Sequence, residues 1–336
     1  MARQGRRSAK DEPKVTPLRV IALVVTAIAL YLLFPSITAT VSAFPRLSEL
    51  APEWMAVSAA SEVISFVCAW RLLALALRTT KWFAVATAQV ASNALGQAVP
   101  AGAAAGAALQ YRMLSGAGID TTTTGSGMAA ATALQYATLF ALPVIALPIV
   151  AGSGAAAGLV NAAWFGLGAF VVVIGLLAVL LFTDSAPELV GRAVQWVLNT
   201  VRRKGPRITT LPERIKHQRD LIRRELGEHW RPALLDAAGN WLFDYGALLA
   251  ALAAVGTDPD PALVLLAYTA SAVLRMIPIT PGGLGFVEAG LTATLALAGV
   301  DASDAVLATL QYRLVSYWLP LAAGPVAAVL YRRRVH

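Results

Sequence analysis

Long apolar runs separated by short polar segments dominate the chain. Runs at 18–41, 54–77, 127–150, 159–182, 232–255 and 305–330 each reach the length of about 20 residues that a helix needs to cross a hydrocarbon core. They predict six full transmembrane helices. Two more apolar regions, 82–116 and 261–299, are broken near their middles by Val99-Pro100-Ala101-Gly102 and by Ile277-Pro278-Ile279-Thr280-Pro281-Gly282-Gly283. Proline removes a backbone donor and clashes with the preceding turn, and glycine admits turn geometry. Each region therefore predicts two short helical arms joined by a tight turn, a re-entrant hairpin. Non-helical backbone at membrane depth needs protein or water for its polar groups, which predicts a cavity beside both turns. The expected fold class is an all-α polytopic membrane protein.

Composition agrees with the pattern. Of 336 residues, 57% are hydrophobic and only 14% charged, against roughly a quarter charged in soluble domains. The net charge of +8 would suit nucleic acid, but the cations gather in three clusters. Arg3, Arg6, Arg7, Lys10, Lys14 and Arg19 precede the first run; Arg202, Arg203, Lys204 and Arg207 sit in a central polar stretch; Arg332, Arg333 and Arg334 come last. Six spans and two hairpins put all three on one side, which the positive-inside rule makes cytoplasmic. Nucleic acid is thereby excluded as a partner. Val41-Ser42-Ala43 resembles a signal-peptide cleavage site, although the apolar stretch before it is longer than a usual signal core. Cys68, alone in the sequence, excludes internal disulfides and thiolate metal clusters and reads as a small packing residue.

The expected organisation is a basic tail (1–17), an N-terminal membrane half (18–182), a basic linker (183–230), a C-terminal membrane half (231–331) and a basic end (332–336). Within the linker, Ser185-Ala186-Pro187-Glu188 and Thr210-Leu211-Pro212-Glu213 both match the capping box that opens a helix. Two short amphipathic helices are expected. In the second, Leu211, Ile215, Ile222 and Leu226 share one face, and Arg214, Lys216, Arg219, Arg223 and Arg224 cover the rest. That suits an anionic leaflet, or a solvated connector whose cations enforce topology.

The chain also resembles itself. Laying Pro100 on Pro281 puts Gly102 on Gly283 and Ala117-Gly118-Ile119-Asp120 on Ala298-Gly299-Val300-Asp301. After a shorter connection in the second copy, Leu134-Gln135-Tyr136 falls on Leu310-Gln311-Tyr312. An odd number of crossings separates the copies, so they form an inverted repeat, the arrangement of secondary transporters.

An ionised residue at a helix centre costs about 2.5–3.5 kcal/mol on insertion scales. Glu62, Asp244, Arg275, Glu288 and Arg313 are therefore the candidates for function. Asp236, Asn240 and Asp244 recur every four residues along one helix face, and Tyr268, Ser271 and Arg275 form a second stripe. Arg313 lies too deep to snorkel and needs an anion. That anion is either Glu288 or Asp244, in a structural pair, or the phosphate of a lipid head group. Arg71 and Arg78 lie nearer an interface and read as snorkelling, and the sequence names no partner for Glu62. Arg275, Glu288 and Arg313 align with Ala94, Ala107 and Ala137 of the first copy, so the candidate site belongs mainly to the second half. Its cavity residues are Arg275, Glu288, Arg313, Asp244 and Asn240. The turn motif is Pro281, Gly282, Gly283 and Gly285, and the first-copy turn brings Asn93, Pro100 and Gly102.

The stretch Arg275-Met276-Ile277-Pro278-Ile279-Thr280-Pro281-Gly282-Gly283-Leu284-Gly285-Phe286-Val287-Glu288, followed by Gly299 and Arg313, resembles the C-terminal signature of the lysylphosphatidylglycerol synthase transmembrane family. That family includes the flippase domain of the bacterial multiple peptide resistance factor, and the resemblance extends over nearly the whole chain. It implies a flippase-like, multi-pass protein of the bacterial plasma membrane with cytoplasmic termini, and Glu288 and Arg313 beside a lipid-facing cavity. No motif secures Asp244. The first half departs from the family where Ala101-Gly102-Ala103-Ala104-Ala105-Gly106 stands in place of a frequent polar or acidic residue.

The expected partner is a membrane lipid, either an anionic phospholipid or a polyprenyl-phosphate lipid; a homo-oligomer is left open. No cofactor, metal or enzymatic activity is expected, since the chain reaches His336 without an aminoacyl-transferase domain. Two alternatives stand beside transport. One is a membrane-embedded lipid-modifying transferase, against which His217, His229 and His336 all fall in the linker or tail and no catalytic motif occurs. The other is a regulatory partner that docks through the linker helices.

Overall fold

The computed structural model describes residues 50–99, 102–151, 211–276 and 280–335, with scattered positions between 161 and 195. The predicted span 18–41, most of 159–182, the N-terminal tail, Pro100 and nearly all of the linker before residue 211, with most of its first expected helix, lie outside the described residues. Everything regular among the described residues is helical: α1 (Pro52–Ala76), α2 (Trp82–Ala98), α3 (Ala103–Gly116), α4 (Thr121–Ala151), α5 (Leu211–Val255), α6 (Pro261–Leu274), α7 (Phe286–Leu297), α8 (Ala302–Arg313) and α9 (Leu319–Val335). A 3-10 turn, Pro281–Gly283, precedes α7, and a π turn, Leu314–Trp318, joins α8 to α9. Among the described residues, four segments are long and apolar enough to cross a bilayer: Pro52–Ala76, Thr121–Ala146, Trp230–Val255 and Ala302–Val335. They correspond to four of the six predicted spans.

Local chemistry sets the helix starts. Pro52 and Pro261 open α1 and α6, where a missing amide hydrogen costs nothing. Asp260 accepts the Ala262 amide at 2.8 Å, and Asp120 accepts those of Thr123 and Thr122 at 3.0 and 2.9 Å. The Thr123 amide, with that of Thr122, holds the exposed Asp120 carboxyl below the usual carboxylate range. The cap on α4 is thus intact above the ordinary carboxylate pKa of about 3.9 and is lost only as pH falls through the lowered value.

The linker expectation needs one correction. The second amphipathic stretch is not a separate helix: it runs through Pro232 into the membrane as the single, 45-residue α5. Proline removes one hydrogen bond, but strong helix formers lie on both sides and α5 packs along α1, so the helix continues.

α1 and α5 are antiparallel, tied at intervals of two turns. The Ala51 amide donates to the Ala254 carbonyl at 3.4 Å, Ser58 Oγ to the Ala247 carbonyl at 2.9 Å, and Ser65 Oγ to the Asn240 carbonyl at 2.8 Å. One step further, Arg71 Nε meets Asp236 Oδ1 at 3.4 Å. Arg71, predicted to snorkel, thus pairs with the first residue of the acidic stripe. Cys68 touches the helix at Gly239, consistent with a packing role.

Two buried apolar clusters occupy opposite ends of this bundle. One gathers Leu72 and Leu73 of α1 with Ala84 of α2, Leu114 of α3, Ala237 of α5 and Tyr331 of α9. The other gathers Leu142 of α4 with Leu252 of α5, Leu266 of α6, Leu295 of α7 and Ala305 of α8. The outer ends of α2 and α3 thus belong to the first cluster and those of α6 and α7 to the second. Lys81 Nζ reaches the Ala117 carbonyl at 2.7 Å, and Tyr331 donates to the Met113 carbonyl, closing the first end. The outside of the bundle is apolar, with Val63, Ile145, Leu235, Phe243 and Val326 all exposed. Such a surface suits lipid.

Candidate functional site

The turn before α7 is built by glycines in left-handed conformations: Gly282, Gly283 and Gly285 have φ of 57°, 72° and 79°. Gly282 is doubly constrained, because a Cβ there would overlap the Tyr317 ring. Gly282→Ala is expected to destabilise the protein by about 1–3 kcal/mol, read as a lower melting temperature in detergent. A melt equal to that of the unaltered protein would contradict this geometry.

Glu288, in the first turn of α7, is engaged through both oxygens. Its Oε2 accepts the Gly285 amide at 2.7 Å, and its Oε1 accepts Arg313 Nε at 2.7 Å. Arg313 also donates from Nη2 to the Gly282 carbonyl at 3.2 Å, and its guanidinium lies 4.2 Å from the Tyr317 ring centre. Its side chain is only 2% exposed. Of the two partners left open for Arg313, the protein supplies one, Glu288. The pair pins the turn to the end of α8, where the helix widens into the π turn that carries Tyr317.

A second network centres on Asp244 of α5. Tyr312 donates to Oδ1 at 2.6 Å, Tyr268 donates to Oδ2 at 2.8 Å, and Arg275 Nη2 lies 3.6 Å from Oδ2. Arg275 Nη2 also donates to Tyr312 Oη at 3.3 Å. Both tyrosines are buried, so α5, α6 and α8 meet on one carboxylate.

Asn240, one turn earlier on α5, is committed to structure. Its Nδ2 donates to Ser65 Oγ at 2.8 Å, its Oδ1 accepts Gln135 Nε2 at 3.2 Å, and the neighbouring Trp241 donates to the Gln135 carbonyl at 2.7 Å.

These elements enclose a cavity of about 640 Å³, within the range of sites for small molecules. Both turns border it, the first through Val99 and Gly102, the second through Thr280, Gly282 and Gly283. The expected cavity is therefore present and shared. Its wall combines the amides of Gln89, Asn93, Gln97 and Gln110 with Arg275 and Arg313. The halves also touch directly: Tyr317 Oη donates to the Gln97 carbonyl at 3.3 Å.

The pattern that defines the Lysylphosphatidylglycerol synthase TM region matches residues 19–324. The chain belongs to this family. It is also similar to UPF0104 membrane proteins, with 32% identity over 97 residues to one of Methanothermobacter thermautotrophicus, covering 29% of this chain and 28% of that protein. A UPF0104 membrane protein of Pyrococcus horikoshii is 36% identical over 70 residues, 21% of each chain. One of Methanocaldococcus jannaschii is 38% identical over 66 residues, 20% of this chain and 28% of that protein. Each of these matches thus spans less than a third of the relative's length.

Within this family member, the predicted residues sort into two kinds. Glu288 does not line the cavity, and Arg313 reaches it with a guanidinium already bonded to Glu288 and Gly282. Both read as supports of the turn. Arg275 lines the same cavity with 27% of its side chain exposed. Asn93 and Gly102 line it too, whereas Pro100 lies outside the described residues. The alanine-rich departure in the first half has a packing reason: a Cβ at Gly106 would press on the Ser92 carbonyl, so α2 and α3 close through small residues. Sequence reasoning gave Tyr268 only a place in a stripe and missed Tyr312 and Tyr317, whose roles depend on non-local contacts. Tyr312 carried one faint signal, its alignment with Tyr136 in the other copy.

Proposed function

We propose that this chain carries the polar head group of a membrane lipid through the cavity between the two turns, as a flippase-like protein. The observation that carries the reading is Arg275 on the wall of a 640 Å³ cavity inside an apolar bundle. Among the described residues, its guanidinium makes a single hydrogen bond, to Tyr312. The remaining donors of the fork suit a phosphate, which a guanidinium binds through two parallel bonds. The lipid class is an anionic phospholipid or a polyprenyl-phosphate lipid. Among the described residues, the buried Oε1 atoms of Gln89 and Gln97 have no hydrogen-bond partner, and amides so placed suit head-group hydroxyls.

In this reading the helix pairs α2/α3 and α6/α7 are re-entrant hairpins of an inverted repeat, entering from opposite faces and meeting at the cavity. The protein sits in a prokaryotic plasma membrane with its basic segments in the cytoplasm. It performs no chemistry on the lipid.

Reconstitution tests the proposal. Vesicles containing the protein should exchange labelled phosphatidylglycerol or polyprenyl phosphate between leaflets faster than empty vesicles. Equal rates for every lipid of both classes would end it.

A further inference from the structure

Glu62, at the middle of α1, is buried at 6% exposure, and its Oε2 has no hydrogen-bond partner among the described residues. Between the Ser58–Ala247 and Ser65–Asn240 hydrogen bonds, it faces Asp244 across the seam of α1 and α5, within electrostatic reach of Arg275. Tyr312 of α8 stands close enough to feel its charge. Two carboxylates thus share one guanidinium in a membrane interior.

Among the described residues, no other element packed on α1 supplies the missing positive charge. α2 and α4 also pack on α1, yet neither contains Asp, Glu, Lys, Arg or His. The π turn brings only Tyr317 as a titratable group. Arg71 of α1 is held by Asp236, further along the helix. A buried, uncompensated negative charge is costly, so the pair must take up a cation. A metal ion needs at least a third protein donor of its kind, and among the described residues no three His, Cys, Asp or Glu side chains gather to supply one. A proton needs one oxygen, and two carboxyl groups in contact hold one between them readily.

We propose that Glu62 and Asp244 form a proton-binding site linked through Arg275 to occupancy of the cavity. The proton comes from water and is bound by a carboxylate, with no other bond made or broken. An anion that enters the cavity draws on the same guanidinium that faces Asp244, which favours the protonated pair. By reciprocity, the protonated pair releases Arg275 toward the anion. Proton and anionic head group then bind together. The linkage rests on the transport reading above, but the proton site does not.

The test is difference infrared spectroscopy of the protein in phosphatidylcholine nanodiscs, with and without phosphatidylglycerol. A carboxylic-acid carbonyl band that responds to deuterium exchange is expected, kept in the exposed-site control Glu53→Gln and lost in Glu62→Gln. Glu62→Gln is nearly isosteric and removes charge from an apolar setting, so it should fold. Tyr312→Phe is a second variant and should move the band without abolishing it. A missing band in the unaltered protein, one that survives Glu62→Gln, or one that ignores Tyr312→Phe overturns the site. Phosphatidylglycerol should raise the pH midpoint of the band by about one unit, a tenfold linkage. An unmoved midpoint overturns the coupling alone. Loss of the transport reading in the vesicle assay would leave the infrared result standing.

Discussion

Arg313→Ala is expected to destabilise the protein by about 3–5 kcal/mol, because it leaves Glu288 charged and without its partner inside the membrane. The pair is largely buried: Arg313 is 2% and Glu288 16% exposed, with 2.7 Å between Nε and Oε1. Glu288→Ala should cost a similar amount, since it strands the guanidinium and also removes the acceptor of the Gly285 amide. The double variant Arg313→Met with Glu288→Gln should recover most of the loss, because glutamine can still accept that amide and no charge remains to be desolvated. Unfolding in mixed micelles with increasing sodium dodecyl sulfate gives the three values. A loss under about 1 kcal/mol for Arg313→Ala, the range of exposed pairs, would mean that water reaches the pair.

This pair was the most legible part of the site, and the reason is physical. Ionised residues in apolar runs are costly enough to stand out from any background, and a Pro-Gly-Gly-Leu-Gly sequence fixes a turn that few other residues can make. Breaks in hydrophobic runs placed both helix pairs correctly for the same reason. What could not be read was which carboxylate would meet which guanidinium. Asp244 and Arg275 come together only because α6 and α8 both pack on α5, and Glu62 joins them only through the antiparallel fit of α1 on α5. Tyrosines give no such signal, since a tyrosine in an apolar run is an ordinary core residue until its hydroxyl is seen to bond a buried acid. The boundary at Pro232 misled for the opposite reason: a strong local rule was overridden by packing along the whole of α5.

The division of labour between the two arginines leads to the sharpest functional expectation. Arg313 is bonded on two sides and roofed by Tyr317, so it has little left to offer a ligand. Arg275 has one hydrogen bond and an open face on the cavity. Charge-assisted hydrogen bonds contribute about 1.5–3 kcal/mol each, so Arg275→Gln should slow exchange of an anionic lipid in vesicles by roughly 10- to 100-fold. Stability should change less than in Arg313→Ala, because Asp244 keeps both tyrosine donors and its pair with Glu62 can bind protons in place of the lost guanidinium. Arg275→Lys should restore part of the rate, since it returns the charge without the planar fork that grips a phosphate through two bonds. If Arg275→Gln lowers stability as much as Arg313→Ala and leaves the residual exchange rate untouched, Arg275 is a second structural pin and the cavity holds its head group by other means. A folded variant with a slowed rate, partly rescued by lysine, would place the head group's phosphate against α6 and make the guanidinium shared with Asp244 the point where lipid and protein charge meet.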